Sequence, residues 1–441
     1  MNKTACIYTL GCKVNQYESE AISEFLEAKG ISVCPPSGSC DAFIINTCTV
    51  TAESDRKARQ FIRRAISLNP NAFILVTGCM AQSRCEQVCA ISGVDYICGS
   101  SNKTSVVEKV IQLFEEGKKR DEPEINIPSL ANASFEEMTI NKFERTRAYL
   151  KIEDGCENRC SYCAIPDARG PIRSKPLAKV ISEVKRLSEN GCLEIVLTGI
   201  ETASYGRDLG EIDIADLLTE IDKLSGIGRI RIGSIHPSVM TKEFVSKIAG
   251  VKCLAPHFHL SMQSGSNKIL ELMGRKYDRE TALMNIQNLR TSMEGVMFTT
   301  DFIVGFPGET DKDFELTLDF ARQASFLDMH VFAYSKRSGT PAASMPMQLP
   351  ENVKRERSAA LIALGKELTK ENLKRFAREN GSTKVLFETY ENSLAYGHTA
   401  SFVPVAVESE RPLNACLLDV QITGSDETKC HGKLKEINER S

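Results

Sequence analysis

Three cysteines, Cys156, Cys160 and Cys163, stand in a C-x3-C-x2-C spacing inside the run Asp154-Gly155-Cys156-Glu157-Asn158-Arg159-Cys160-Ser161-Tyr162-Cys163-Ala164-Ile165-Pro166-Asp167-Ala168-Arg169-Gly170. Three thiolates on one short loop can ligate three irons of a [4Fe-4S] cube, because soft sulfur suits iron and a loop can turn all three side chains inward. The fourth iron is then left without a protein ligand, and an open iron is where a small chelating substrate can bind. The competing readings are a zinc knuckle or buried thiols. A zinc site usually wants a fourth Cys or His nearby, and none follows here.

A second set of cysteines is spread more widely. Cys12, Cys48 and Cys79 each stand at the end of a predicted strand, in Thr9-Leu10-Gly11-Cys12, Asn46-Thr47-Cys48 and Thr77-Gly78-Cys79. In an open α/β sheet, ligands collect outside the carboxyl ends of the strands, so residues distant in sequence can meet there. Small neighbours such as Gly11 and Gly78 let the backbone approach a bulky group. These three therefore read as ligands of a second [4Fe-4S] cluster. On residue type alone, three core cysteines remain an equal alternative. The other ten, Cys6, Cys34, Cys40, Cys85, Cys89, Cys98, Cys192, Cys253, Cys416 and Cys430, read as packing residues.

The elements that must position these groups follow from the apolar pattern. Residues 1–117 alternate strands (5–11, 42–47, 73–78, 96–98) with helical spacing (16–29, 53–68, 81–90), as a doubly wound α/β domain does. Residues 118–142 are charged, then small and polar, and read as a linker crossing the surface. From 143 to 375 six strand–helix repeats predict a partial parallel (β/α)6 barrel with its chemistry at the carboxyl ends of the strands. The cysteine loop follows the first of those strands.

Thr198, Gly199, Ser234, Gln263 and Asp301 come at or near strand ends, where turn geometry and ligand contact are equally open readings. His236, His257 and His259 read first as structural histidines, and Arg275 as a surface charge or a phosphate contact. The helical stretch 354–379 carries eight Lys or Arg against four Glu, so it is either a solvated linker helix or a track for an RNA backbone. Residues 376–441 suggest a small all-β barrel.

With 441 residues, 42% hydrophobic and 26% charged, the chain is of ordinary globular composition and long enough for two or three domains. A net charge of −3 neither demands nor excludes a polyanionic partner. No apolar run is long enough to cross a bilayer, and Met1-Asn2-Lys3-Thr4 leads into a strand without a signal-peptide pattern, so a cytoplasmic location and no membrane partner are expected. In that reducing setting the 16 cysteines read as ligands and core residues rather than disulfides.

The run from Asp154 to Gly170 resembles the cluster loop of radical S-adenosylmethionine (SAM) enzymes, specifically the methylthiotransferase branch. Leu10-Gly11-Cys12-Lys13-Val14-Asn15-Gln16-Tyr17-Glu18 and Asn46-Thr47-Cys48-Thr49-Val50-Thr51 are similar to that family's N-terminal domain, and the wording of the first resembles the bacterial branch acting on N6-threonylcarbamoyladenosine. The resemblance implies two [4Fe-4S] clusters, one on Cys156, Cys160 and Cys163 that cleaves SAM, and one on Cys12, Cys48 and Cys79 that carries the transferred sulfur. It implies SAM contacts from Tyr162, Thr198, Gly199, Ser234, Gln263 and Asp301. It also implies a tRNA carrying the threonylcarbamoyl group at position 37, an electron donor such as flavodoxin or ferredoxin, and a possible sulfur donor.

The C-terminal barrel resembles a TRAM domain. It is net acidic, with six Lys or Arg against nine Asp or Glu from Ser382 onward, which weakens the case for it as an RNA clamp. Other substrates, an isopentenyladenosine tRNA or a protein residue, and a non-catalytic iron–sulfur RNA-binding protein are the alternative functions.

Overall fold

The protein is described by a computed structural model over residues 3–143, 145–210 and 212–435; the last residues of the expected C-terminal module, 436–441, lie outside the described residues. The first layer is a six-stranded, all-parallel sheet. Its order is Ser32–Val33, Thr4–Thr9, Ala42–Thr47, Phe73–Gly78, Tyr96–Cys98, Glu124–Asn126. Ala42–Thr47 and Phe73–Gly78 are buried at every position, as strands covered on both faces must be. Alternate side chains serve two cores. Ala5, Ile44 and Leu75 pack under helices Lys13–Ala28 and Ser105–Glu116, while Phe43, Ile45 and Val76 pack under helix Ala52–Leu68. The order reverses between Thr4–Thr9 and Ala42–Thr47, and a crevice opens at the carboxyl ends of those two strands.

The second unit is the expected open barrel. Ala148–Lys151, Glu194–Thr198, Arg229–Ile232 continuing as Ser234–Ile235, His257–Gln263, Met297–Val304 and Asp328–Ala333 pair in parallel in chain order. The third strand breaks at Gly233, so its first half pairs backward and its second half forward. Helices between the strands start where the sequence caps them: Asp213 and Thr310 each form a reciprocal capping box. One apolar core runs from Tyr17 and Ala21 of the first unit into Leu150 and Val180 of the second, so the two units share an interior.

Two sequence expectations change. The stretch 118–142 is not a surface linker. It supplies the edge strand Glu124–Asn126, and it buries Met138 and Ile140, whose backbone is held by Tyr17 Oη and Lys175 on the Met138 carbonyl and by Glu183 on the Ile140 N–H. Its polar composition hid two apolar anchors. The basic helix, Glu351–Glu379, is neither solvated throughout nor free for RNA along its length. Leu361, Leu364 and Leu368 enter the barrel core, Leu373 and Phe376 enter the C-terminal core, and Arg357 is buried against Glu309.

The C-terminal unit is a closed five-stranded barrel of Ser382–Glu391, Leu394–Thr399, Pro404–Glu408, Cys430–Leu434 and Leu417–Ser425 in that order. No helix among the described residues is long and apolar enough to cross a membrane.

Candidate active site between the three units

Cys12 precedes helix Lys13–Ala28, Cys48 follows Ala42–Thr47, and Cys79 opens the short helix Cys79–Ser83, so all three stand at the carboxyl edge of the first sheet. Burial pushes the Cys48 thiol up to about 12, with Cys79 and Cys12 adding to the rise. Burial also raises Cys12, against the pull of Arg169. Gly11, at φ +94°, has no room for a side chain, since a Cβ there would lie 2.5 Å from Cys48 Sγ. The Val50 N–H donates to Cys48 Sγ at 3.5 Å and Arg169 Nε donates to Cys79 Sγ at 3.1 Å.

The second triplet mirrors this. Burial, with Glu201, Cys163 and Cys160 beside it, lifts Cys156 to about 12, and burial with Cys160 lifts Cys163 to about 11. The Ile165 N–H donates to Cys163 Sγ and Arg275 Nη1 to Cys160 Sγ, each at 3.4 Å. Arg275 is therefore not a phosphate contact on the surface. Both sets suit iron: a buried thiol group too costly to ionise in water-free surroundings loses its proton when a cation replaces it, and each set offers a guanidinium to one sulfur.

Arg169 belongs to a larger ion lattice between the first and second units. Arg169 Nη1 lies 2.7 Å from Glu18 Oε1 and 3.1 Å from Asp154 Oδ2, and Lys151 Nζ lies 2.7 Å from the same two carboxylates. Lys103 also pairs with Glu18, and Arg173 reaches Asp154 at 3.4 Å. All these side chains are buried. Burial alone would raise the Glu18 carboxyl, but Arg169, Lys103 and Lys151 hold it well below the usual range. Four cations against two carboxylates leave excess positive charge beside Cys79, which an anionic iron–thiolate group would offset. Arg169 was visible in the sequence, but its partners come from separate segments and carried no local signal.

A cavity of about 640 Å³ joins the three units. Four of the six expected SAM residues, Thr198, Gly199, Ser234 and Asp301, line it together with Cys12. Tyr162 and Gln263 do not. Tyr162 packs edge-on against Phe306 at 6.5 Å, and Gln263 ends its strand at φ +68° where the pairing register shifts. Asp301 is held by histidines, with His259 Nε2 at 3.2 Å and His330 Nδ1 at 3.0 Å, while Thr299 Oγ1 bridges His257 and His259.

Behind Gly199 lie two carboxyls, Glu153 buried and Glu201 half-buried. Glu153 Oε2 accepts the Glu201 N–H at 2.8 Å, yet Glu153 Oε1 and Glu201 Oε1 have no partner, and burial raises both groups. Two unsatisfied carboxyl oxygens beside the Cys156 loop suit an ammonium group.

The opposite wall is cationic. Glu194 Oε1 accepts from Arg231 Nε at 2.8 Å, and Glu194 Oε2 lies 3.0 Å from Arg229 Nη1, with Arg147 3.6 Å away. Phe402 reaches in from the C-terminal barrel, its ring 4.9 Å from the Arg231 guanidinium and 5.4 Å from that of Arg147, and stacked on His257 and His398. Burial opposes ionisation of Glu194, but Arg231, Arg229 and Arg147 lower it from 4.5 to about 2.

A folded value below the unfolded one stabilises fully above pH about 4.5, and that gain is lost as the pH falls towards about 2. Glu194→Gln should therefore remove about 3 kcal/mol of pH-dependent stability over that window. Denaturant unfolding at a series of pH values measures it, and an unchanged slope in the variant would refute the ion cluster.

Residues 150–321 match the radical SAM superfamily and residues 4–99 match the uncharacterized protein family UPF0004. The chain is 39% identical over 95% of its length, and 93% of the relative's, to the threonylcarbamoyladenosine tRNA methylthiotransferase MtaB of Bacillus subtilis (strain 168). It is 36% identical, over 95% of each chain, to the tRNA-2-methylthio-N(6)-dimethylallyladenosine synthase of Pelotomaculum thermopropionicum. Among solved structures, the radical SAM methyltransferase TsrM of Kitasatospora setae shares the fold, with a TM-score of 0.57 at 16% identity over 78% of this chain and 77% of that one. On these matches the chain belongs to the radical SAM tRNA methylthiotransferase family.

Proposed function

We propose that the protein converts N6-threonylcarbamoyladenosine at tRNA position 37, beside the anticodon, to its 2-methylthio derivative. The observation that carries this reading is the shared cavity: Cys12 of one triplet lines it together with Thr198 and Gly199, and Gly199 packs on Glu153, just ahead of Cys156 in the chain. Bound to Cys156, Cys160 and Cys163, a [4Fe-4S] cluster with SAM supplies a carbon radical able to take the unacidic hydrogen at C2, and a second cluster on Cys12, Cys48 and Cys79 supplies sulfur.

The chain's own residues bind and orient. The free oxygens of Glu153 and Glu201 accept the SAM amino group, with the close packing of Gly199 on Glu153 fixing their position. Thr198, Ser234 and Asp301 face the cavity, Tyr162, beside Cys163, is assigned to the SAM adenine, and Gln263 to the mouth of the barrel at its strand end. Arg169 and Arg275 each hold one sulfur in place.

The partners on this reading are the tRNA, a one-electron donor such as flavodoxin or ferredoxin, and a sulfur donor, all in the cytoplasm. The similar identity to an isopentenyl-type enzyme makes the N6 substituent the point to test. The cluster-loaded protein is incubated anaerobically with SAM, reductant, sulfide and two tRNA pools, one carrying threonylcarbamoyladenosine and one isopentenyladenosine. Nucleoside mass spectrometry should find the methylthio product in the first pool. Product in the second alone would reverse the substrate assignment.

A further inference from the structure

The established resemblances say which nucleoside relatives modify but not what in this chain would tell one N6 substituent from another. The cavity's cationic wall does. Arg231 is 3% exposed. Its Nε and Nη2 are committed to Glu194 and to the Ala400 carbonyl, while Nη1 is buried with no partner. Lys13, which directly follows Cys12, lines the same cavity, and its ammonium makes no hydrogen bond or ion pair among the described residues. Arg147, the third cation lining it, is anchored on Glu388 at 2.9 Å.

The nearby carboxylates are already engaged. Glu194 serves three arginines, Asp301 two histidines, and Glu388 both Arg147 and His398. Asp328 sits beside His330 on the far wall. Phe402 fixes the planes of both guanidiniums. The result is a corner with donors to spare and no anion to take them.

We propose that Lys13, Arg147 and Arg231 form a carboxylate-reading corner that binds the threonine carboxylate of the threonylcarbamoyl group. This deepens, and rests on, the substrate reading above. An N6 substituent leaves the adenine on the same edge that carries C2, so a corner reading it belongs next to the sulfur-bearing residues, and Lys13 adjoins Cys12. An isopentenyl chain in the same place would leave a buried guanidinium N–H and a lysine without a counter-charge, which disfavours it. A backbone phosphate is a poorer fit, because Arg231 Nη1 is enclosed between the barrel and the C-terminal unit, away from solvent.

The test uses cluster-loaded protein with SAM and no reductant, and two anticodon stem-loops that differ only at the threonine, one with the free carboxylate and one with a neutral carboxamide. Fluorescence anisotropy gives the ratio of the two affinities. In the unaltered protein the carboxylate loop should bind roughly 10- to 100-fold tighter, the range for hydrogen bonds to a charged group. Lys13→Met and Arg231→Met should each shrink that ratio several-fold, and Arg231→Lys should restore part of it.

Should Arg231→Met fail to fold, Lys13→Met decides the matter, since Lys13 has no ion pair to lose. A ratio unchanged in the variants, as cations holding phosphates common to both loops would give, overturns the proposal. So does an unaltered protein with no preference between the loops while it still methylthiolates threonylcarbamoyl tRNA. If instead it modifies only isopentenyl tRNA, the substrate reading itself has failed.

Discussion

Replacing Cys156, Cys160 and Cys163 together by alanine should abolish formation of 5′-deoxyadenosine from SAM, whereas replacing Cys12, Cys48 and Cys79 should leave that cleavage in place and abolish only the methylthio product. The two triplets sit on different units, the first-sheet edge and the loop after the first barrel strand, and each has its own backbone N–H and its own arginine on a sulfur. The sets share no cysteine, although Arg169 reaches Cys79 from the loop that carries the other three. Loss of a metal centre that generates the reactive species is expected to cost a factor on the order of a thousand or more. Iron content should fall in both variants, with chromatography of deoxyadenosine and of tRNA nucleosides separating the two activities. If SAM cleavage disappears in both, the division of labour between the triplets is wrong.

Arg169→Met should be the most damaging single substitution at the junction of the first two units. It strips a buried guanidinium from Glu18, Asp154, Asn15 and Cys79 at once. Removing one partner from a buried ionic network costs about 3–5 kcal/mol, and the lower end is expected here, because Glu18 keeps Lys103 and Lys151 and Asp154 keeps Lys151 and Arg173 while Asn15 and Cys79 lose their donor. Denaturant unfolding reads the loss, and iron analysis should show the Cys79 set depleted beside an intact Cys156 set. A cycle with Asp154→Asn should give a coupling of about 1–3 kcal/mol. Additive effects would mean that Arg169 acts on the cysteine alone.

The barrel was legible in the sequence because its strands and helices carry their own signals. Asp278, Thr310 and Asp213 cap the helices that follow them, and strands such as Glu194–Thr198 centre on an apolar run, Ile195-Val196-Leu197. The six cysteines stand out in the sequence, three by their C-x3-C-x2-C spacing and three by their place at strand ends, and their part as cluster ligands belongs to the proposed function. What escaped were pairings between distant segments. Arg169 meets Glu18 across 151 residues and Arg147 meets Glu388 across 241.

Strands Leu394–Thr399 and Cys430–Leu434 carry no clear signal of their own, because glycines and histidines interrupt their alternation. The net acidity of the C-terminal unit also takes on a different meaning. Glu388 anchors Arg147 and the Ala400 carbonyl holds Arg231, so part of this unit is occupied in arranging the cavity's cations rather than in gripping a polyanion.

The same wall gives assembly of the protein a direction. All six cysteines precede Ser382, while Phe402 and Ala400, which close the cavity on the Arg231 side, come after it. During synthesis the ribosome therefore releases all six cysteines before it releases the wall that closes the cavity beside Cys12. The nascent chain passes through a stage in which its cavity is open along one flank, and the last barrel shuts it.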